Sequence, residues 1–380
     1  MKRITLVLDG SADRPNPKLD GKTPLEYANT PNLDKLYRKS ISGTVRTIPK
    51  GLEVGSAVAN LSLLGFDPNT YRGRAIIEAA GLEIPINENN LYIRCNMVHF
   101  EGESFETSHI KSYSAFDIET KEAQPIAQQL AEEVFDDEYQ LNYCGSFRNI
   151  LIVKDGKKLY PLDFMAAHDI IGQNIAPFIK TQGKQAKFFE LMKNSYEFLK
   201  DKDCAANGLW FWGASIMPEI VGNTKGRIAL SETLLMDGIT KIAGLKNIGT
   251  KREGRSFEDF LNEKLEKSIQ AVAQNDDIYV HIQETDDLSH ELMPEKKAKA
   301  IETIDSVFLK PFLDSMKDDY TLAVASDHFT FSDTGAHGGQ SVPFLFYCST
   351  KEQAEQGRFT EQCCREKNNE ITAAQLKALD

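Results

Sequence analysis

The sequence predicts an α/β protein with a mainly parallel sheet flanked by helices and with a smaller inserted α+β domain. Short, mostly apolar runs rich in β-branched residues recur at positions 4–8, 278–282 and 320–325. Such runs are typical of strands buried on both faces of a parallel sheet. Helical patterns separate the runs, which implies right-handed βαβ connections and places the carboxyl ends of the strands at one edge.

The composition limits the number of domains, the kinds of partner and the cell compartment that we expect. The chain has 380 residues, of which 41% are hydrophobic and 26% charged, which is ordinary for about two globular domains. Its 44 Lys and Arg against 56 Asp and Glu give a net charge of −12, which disfavours nucleic acid and anionic membranes as partners. The apolar run at 4–8 is too short for a signal segment, and no stretch could span a bilayer. The six cysteines are scattered, which indicates reduced thiols and a cytoplasmic protein.

Helical periodicity appears at 32–38, at 257–272 and over the longer stretch 294–316, where Pro311 predicts a kink. We expect these helices to cover the sheet.

The middle of the chain has a different pattern. It carries the elements of a small α+β unit, which are a strand at 92–98, a helix at 119–134 and two short strands within 139–153. We therefore predict an inserted domain at 91–180 and a discontinuous core domain made of 1–90 and 181–380.

Acidic and histidine side chains follow the predicted core strands. Four of the seven histidines fall within 281–337. Three clusters stand at or beyond strand ends, namely Asp9, Asp286 with His290, and Asp327 with His328 and the nearby His337. One Asp–His pair can be a simple turn, but three convergent groups favour a metal site. Oxygen and nitrogen ligands without cysteine suit Mn²⁺, Zn²⁺ or Mg²⁺.

Ser56 stands between Gly55 and an apolar, helix-compatible run. It is a candidate helix N-cap, which is the preferred interpretation of the segment alone. A hydroxyl at a helix start beside a divalent cation can also accept phosphate, whose charge the helix dipole favours. A phosphorylated substrate would need cations, and the candidates are Arg74, Arg94 and Arg148, although surface ion pairing explains most arginines.

With these residues assembled, the chain resembles the alkaline phosphatase superfamily, and within it the archaeal-type 2,3-bisphosphoglycerate-independent phosphoglycerate mutases. The matching motifs run nearly end to end: Leu8-Asp9-Gly10, Asp13-Arg14-Pro15, Lys22 to Glu26, Ala28 to Asp34, Gly55-Ser56, Leu61 to Pro68, Gly73-Arg74, Glu78-Ala79, Arg94-Cys95-Asn96, His168-Asp169, Asp286 to His290, Asp327-His328, His337 and Val342-Pro343.

The resemblance implies an alkaline-phosphatase-like core with two divalent metal ions. One site would be formed by Asp9, Ser56, Asp327 and His328, and the other by Asp286, His290 and His337. Ser56 would be the nucleophile that carries phosphate between the two hydroxyls of a small phosphorylated substrate. The implied substrate-binding residues are Arg74, Arg94, Arg148, His168 and Asp169, with the insert excluding water.

Some positions depart from the family pattern. Asn60 stands where a histidine is usual, and Asp117 stands where a basic residue is usual. The tryptophan-rich segment 210–212 is similar to a bacterial branch proposed to contain homoserine kinases. The alternatives to a mutase are therefore a homoserine kinase-like phosphotransferase that uses ATP, a related phosphatase, and an inactive metal-binding homologue.

Overall fold

The computed structural model describes residues 1–220, 224, 226–252, 254–351, 353–354 and 356–379. The chain forms two compact units. The first combines Met1–Tyr71 with Glu219–Asp380, and the second is Arg72–Pro218.

The described strands are β1 (Lys2–Leu8), β2 (Ser40–Arg46), β3 (Leu91–Glu101), β4 (His109–Ser112), β5 (Tyr139–Gly145), β6 (Arg148–Val153), β7 (Gly208–Ser215), β8 (Arg227–Leu230), β9 (Lys246–Asn247), β10 (Asp277–Ile282), β11 (Tyr320–Ala325), β12 (Phe329–Thr330), β13 (His337–Gly338), β14 (Val342–Cys348) and β15 (Glu370–Thr372). The α-helices are α1 (Pro24–Tyr27), α2 (Pro31–Tyr37), α3 (Ser56–Leu63), α4 (Ala75–Gly81), α5 (Thr120–Glu133), α6 (Ala186–Leu199), α7 (Leu234–Ile242), α8 (Phe257–Gln274), α9 (Glu284–His290), α10 (Pro294–Thr303), α11 (Lys310–Ser315), α12 (Glu361–Glu366) and α13 (Ala373–Lys377).

The first unit is built on an eight-stranded sheet in the order β15-β2-β14-β11-β1-β10-β8-β9. Its centre contains the three predicted strands as neighbours, because β1 pairs in parallel with β10 on one side and with β11 on the other. Strand β14 is antiparallel to both β11 and β2, and the remaining pairs are parallel. The α/β class with a mainly parallel sheet is confirmed.

The second unit is a five-stranded sheet in which every pairing is antiparallel. Its boundaries differ from the predicted insert at 91–180, which is too short at both ends. Strand β7 pairs with β3 over six register positions, and α4 and α6 pack on this sheet. The flanking segments therefore share the hydrophobic core of the unit, which local sequence patterns do not reveal.

The predicted helices at 32–38 and 257–272 correspond to α2 and α8. The predicted helix 294–316 is interrupted by a π-helical turn over Ile304–Leu309, which ends two residues before Pro311. Proline lacks an N–H and its ring conflicts with the carbonyl of the preceding turn, which explains why the irregularity lies on its N-terminal side. In the described part of the chain no helix is long and apolar enough to cross a membrane.

A buried polar network connects α12 to the N-terminal segment of the first unit. Glu361 accepts hydrogen bonds from Thr23 Oγ1 at 2.7 Å and from the backbone N–H of Asp13 at 2.9 Å. Lys297 Nζ contacts Asp13 Oδ2 at 2.9 Å, and both side chains are buried. Burial raises the pKa of Glu361 from 4.5 to about 7.

This shift predicts a pH dependence of stability. The folded state retains a proton on Glu361 that the unfolded state releases, so the free energy of unfolding falls as pH rises from about 4.5 through about 7. We expect Glu361→Gln to flatten that part of the profile in urea unfolding measured at several pH values. The matched control is Glu366→Gln, which changes an exposed residue of the same helix and should leave the profile unchanged. Equal slopes in the wild type and Glu361→Gln would contradict the assignment.

Candidate active site

The first group of candidate ligands lies at the carboxyl ends of β1 and β11. Asp9 directly follows β1, and Asp327 and His328 follow β11. His328 Nε2 lies 3.5 Å from Asp9 Oδ1 and 3.3 Å from Asp327 Oδ2. All three side chains are buried. Two carboxylates and an imidazole that converge in this way form a potential cation site.

The second group comes from helix α9 and from the short strand β13. Asp286 and His290 lie four residues apart on α9, which follows β10, so both face the same side of that helix. His290 Nε2 is 3.2 Å from Asp286 Oδ2 and 3.1 Å from His337 Nε2. His337 Nε2 is 3.6 Å from Asp286 Oδ1. These three atoms form a second potential cation site.

The two groups are adjacent, and Ser56 contacts the first. The ring centroids of His328 and His337, which belong to different groups, are 4.3 Å apart. Ser56 Oγ lies 2.9 Å from His328 Nε2. Helix α3 begins at Ser56 itself, and Gly55 occupies the N-cap position. The interpretation of Ser56 as an N-cap is therefore wrong, because Gly55 takes the N-cap position and Ser56 is the first residue of the helix itself, with its hydroxyl directed to His328.

The electrostatics of the site fit bound cations. Burial raises the pKa of Asp9 well above its ordinary value, and repulsion from Asp327 and Asp286 adds to this shift. Asp9 Oδ1 is buried and has no hydrogen-bond partner among the described residues. Burial lowers the pKa of His328, which keeps its imidazole neutral and able to act as a ligand. Crowded carboxylates with an unpartnered oxygen are stabilised by a divalent ion, so the residues present fit one.

Asn60 is a site residue whose role the sequence did not reveal. Its Nδ2 donates to Asp327 Oδ2 at 3.0 Å and to the carbonyl of Ser56 at 2.9 Å. Its Oδ1 accepts a hydrogen bond of 2.6 Å from the hydroxyl of Tyr279. Asn60 therefore ties the helix that carries Ser56 to one of the candidate ligands. The only signal in the sequence was that Asn60 departs from the family pattern.

His281 and Gly10 also contact the candidate ligands. His281 Nε2 lies 3.0 Å from Asp9 Oδ2, and its Nδ1 lies 3.2 Å from Ser231 Oγ. The N–H of Gly10 donates to Asp327 Oδ1 at 2.9 Å. His281 lies within a predicted buried strand, and Gly10 lies at the end of another. The local sequence pattern therefore did not distinguish them from residues that serve only for packing.

Three of the predicted substrate-binding residues come together in the second unit. Glu78 bridges two arginines, with Arg74 Nε at 2.7 Å and Arg94 Nε at 3.1 Å from its carboxylate oxygens. The Arg94 guanidinium lies over the Trp212 ring, 3.8 Å from its centroid. The His168 ring packs edge-on against the same indole at 5.1 Å. We call Glu78, Arg94, His168 and Trp212 the arginine–indole cluster.

The other two predicted residues are peripheral to this cluster. Asp169 is exposed, and its Oδ1 lies 3.7 Å from His168 Nε2. Arg148 is exposed and lies over the ring of Phe147 at 4.3 Å, without a carboxylate partner among the described residues. Asp117 is exposed as well, in a turn where its N–H donates to Ser114 Oγ. Asp169 thus contacts the arginine–indole cluster only through His168, and no contact of Arg148 or Asp117 with the cluster is found among the described residues.

Trp210 and Trp212 lie on β7 and alternate along it. Packing explains Trp210, which is buried in the core of the second unit. It does not fully explain Trp212, which is half-buried and donates from Nε1 to Asn96 Oδ1 at 3.0 Å. The indole of Trp212 is thus fixed by the sheet and supports a cation.

Known proteins have sequences similar to this chain over most of their length. Residues 38–205 match the family described as 2,3-bisphosphoglycerate-independent phosphoglycerate mutase. The mutase of that name from Methanosarcina barkeri is 32% identical over 374 residues, which cover 93% of this chain and 92% of the relative. The chain belongs to this family. A second member, from Methanothermobacter thermautotrophicus, is 31% identical, with 91% of this chain and 88% of the relative covered.

Solved structures support the same fold. A protein from Pyrococcus horikoshii has a TM-score of 0.79 at 24% identity, with 99% of this chain and 95% of that chain covered. The cofactor-independent phosphoglycerate mutase from Thermoplasma acidophilum has a TM-score of 0.65 at 21% identity, with 100% and 98% covered. The names of the mutase relatives favour the mutase over the homoserine kinase-like alternative.

Proposed function

We propose that the protein interconverts 3-phosphoglycerate and 2-phosphoglycerate without a bisphosphoglycerate cofactor, through a phosphoserine at Ser56. The observation that carries this proposal is the position of Ser56 Oγ, 2.9 Å from His328 Nε2, where two adjacent ligand groups meet. Membership of the mutase family points to the same reaction. A serine hydroxyl at the start of a helix that is not engaged in capping can accept a phosphoryl group, whereas a hydroxyl that caps the helix could not.

The proposal includes two divalent ions, which would be Mn²⁺, Zn²⁺ or Mg²⁺. Asp9, Ser56, Asp327 and His328 would hold one ion, and Asp286, His290 and His337 would hold the other. Such ions neutralise charge on the attacking and leaving oxygens of an in-line displacement.

The protein residues supply the nucleophile and its orientation. Ser56 Oγ loses its proton and forms a bond to the phosphorus while the bond from phosphorus to the glycerate oxygen breaks, and that oxygen takes up a proton. The retained glycerate then attacks the phosphoserine with its other hydroxyl, which loses its proton, and Ser56 Oγ leaves the phosphorus and is protonated again. The hydrogen bonds of Asn60 to Asp327 and to the Ser56 carbonyl hold the first turn of α3 beside the candidate ligands. Arg74, Arg94, Arg148, His168 and Asp169 are proposed to bind the anionic substrate.

The direct test is an assay of the purified, Mn²⁺-loaded protein with 3-phosphoglycerate alone, and separately with homoserine and ATP. We expect 2-phosphoglycerate as product and no phosphohomoserine. Release of inorganic phosphate in place of 2-phosphoglycerate would favour the phosphatase alternative. Phosphorylation of homoserine with no mutase product would overturn the proposal in favour of the kinase. A cytoplasmic location stays a prediction of the sequence.

The arginine–indole cluster gives a prediction about substrate affinity. Arg94 is held by Glu78 and by the face of Trp212, with 22% of its side chain exposed. Truncating an arginine that binds an anion in a largely desolvated position costs roughly 2–5 kcal/mol. We therefore expect Arg94→Ala to lower kcat/KM at least about tenfold, mainly through KM, with metal content unchanged. Trp212→Leu should act in the same direction, and Trp212→Phe should act less because phenylalanine keeps an aromatic face.

The matched control is Arg46→Ala. Arg46 also pairs with a glutamate, Glu370, and 28% of its side chain is exposed, but it contacts no candidate site residue. We expect its steady-state constants to equal those of the wild type. Wild-type kcat/KM in Arg94→Ala would show that the substrate binds elsewhere.

A further inference from the structure

One hydroxyl group touches both groups of candidate ligands. Thr330 Oγ1 donates a hydrogen bond to Asp286 Oδ1 at 2.7 Å, in the second group. The same oxygen lies 3.0 Å from His328 Nδ1, in the first group. Thr330 is fully buried at 0% exposure, so no water competes for its hydroxyl. None of the residue patterns that predicted the site included Thr330.

The number of protons available determines the direction of these bonds. A threonine hydroxyl has a single hydrogen, and Asp286, an ionised carboxylate, can only accept it. The contact between Thr330 Oγ1 and His328 Nδ1 must then be donated by the histidine. The carbonyl of Phe329, 3.3 Å from the same Nδ1, is also an acceptor. His328 is therefore protonated on Nδ1, and its Nε2 carries the lone pair.

That lone pair is directed to the candidate nucleophile and to the carboxylates of the first group. His328 Nε2 lies 2.9 Å from Ser56 Oγ and 3.3 Å from Asp327 Oδ2. An Nε2 lone pair is what a histidine needs to ligate a cation, and a hydrogen bond at the other ring nitrogen commonly fixes that tautomer.

The backbone of Thr330 is held from both sides. Lys297, which is buried at 0% exposure, donates from Nζ to the carbonyl of Thr330 at 2.9 Å. The N–H of Thr330 donates to the carbonyl of Ala12 at 3.0 Å. Gly10 packs against the hydroxyl so closely that a Cβ on that residue would come within 2.5 Å of Thr330 Oγ1. These contacts hold the backbone of Thr330 in place, and Gly10 leaves little free space beside its hydroxyl.

We propose that Thr330 is a positioning residue that fixes the Nδ1-protonated tautomer of His328 and links the two cation sites through Asp286. This inference rests on the metal-dependent function proposed above. It assigns Thr330 no contact with substrate. Its removal should weaken metal binding by about 10–100-fold, which is the usual effect of losing a group that orients a histidine ligand.

The experiment uses metal-free protein and Mn²⁺ as the probe, without substrate. Calorimetric titration gives the affinity for Mn²⁺, and ¹⁵N-detected NMR of the histidine rings gives the tautomer of His328. We expect Thr330→Val, which keeps the shape but removes the hydroxyl, to bind at least one Mn²⁺ about 10–100-fold more weakly. Thr330→Ser should retain the affinity of the wild type within about threefold because it keeps the hydroxyl.

The matched control is Thr240→Val. Thr240 is also buried, and its hydroxyl donates only to backbone carbonyls of α7, so its loss tests the general effect of removing a buried hydroxyl. Unchanged Mn²⁺ affinity in Thr330→Val would overturn the inference. Should that variant not fold, an Nε2-protonated His328 in the metal-free wild type would overturn it equally. Wild-type protein with the expected tautomer but no mutase activity would contradict the proposed function and leave the role of Thr330 supported.

Discussion

Replacement of Ser56 by alanine should abolish phosphoryl transfer while the fold persists. The hydroxyl is the only group of this residue that reaches the ligand groups, at 2.9 Å from His328 Nε2. Without it no covalent intermediate can form, and we expect a loss of at least about 10⁴-fold in kcat, as for other enzymes that lose their nucleophile. Stability should change by only about 1 kcal/mol, because one hydrogen bond is lost and Ser56 caps no helix.

Two measurements check this expectation. Mass spectrometry of wild-type protein quenched during turnover should locate phosphate on Ser56, and urea unfolding should compare the stabilities. Ser62→Ala is the matched control, since Ser62 lies on the same helix and its hydroxyl bonds only to the Val58 carbonyl. An active Ser56→Ala variant, or phosphate on a different residue, would refute the role of Ser56.

Replacement of His290 by alanine should remove one of the two proposed ions. His290 contributes one of the three convergent atoms of the second group, and its contact with Asp286 raises its own pKa. Loss of that atom leaves Asp286 and His337 alone at the site, which is fewer than the three protein ligands of typical catalytic centres. We expect metal content to fall from about two ions to about one per chain, with activity reduced at least about 100-fold.

The side chain of His290 is 44% exposed, so its truncation should leave the fold intact. Elemental analysis after Mn²⁺ loading and gel filtration measures the effect. The control His109→Ala removes a histidine with a comparable contact to an acid, Glu101, in the second unit. Two ions per chain in His290→Ala, or loss of metal in the control, would contradict the assignment of the second group.

The sequence alone predicted the central strands of the first unit and the acidic residues that follow them. The runs that became β1, β10 and β11 are apolar on both faces, and an acid follows each of them. Parallel strands in one sheet place their carboxyl ends at one edge, so Asp9, Asp286 and Asp327 had to approach one another once these strands were neighbours. Local periodicity likewise predicted helices α2 and α8. The specific ligand sets came from the family resemblance, not from spacing.

Other features depended on contacts between residues far apart in the chain. The second unit extends to Arg72–Pro218 because β7 pairs with β3, and strand pairing across such a separation leaves no local signal. The direction of the Ser56 side chain depends on the approach of α3 to His328. The positions of Asn60 and Thr330 beside the candidate ligands depend on tertiary packing too.

The physical reason for this division is the range of the forces involved. Hydrophobic periodicity reflects burial and the local geometry of the backbone, which involve residues close together in the chain. Such patterns can therefore be recognised in short stretches of sequence. A hydrogen bond such as that from Thr330 to Asp286 joins residues whose proximity is set only when separate elements pack. The sequence by itself determined the three central strands and the acids that follow them, whereas the tertiary structure decided which polar groups orient those acids.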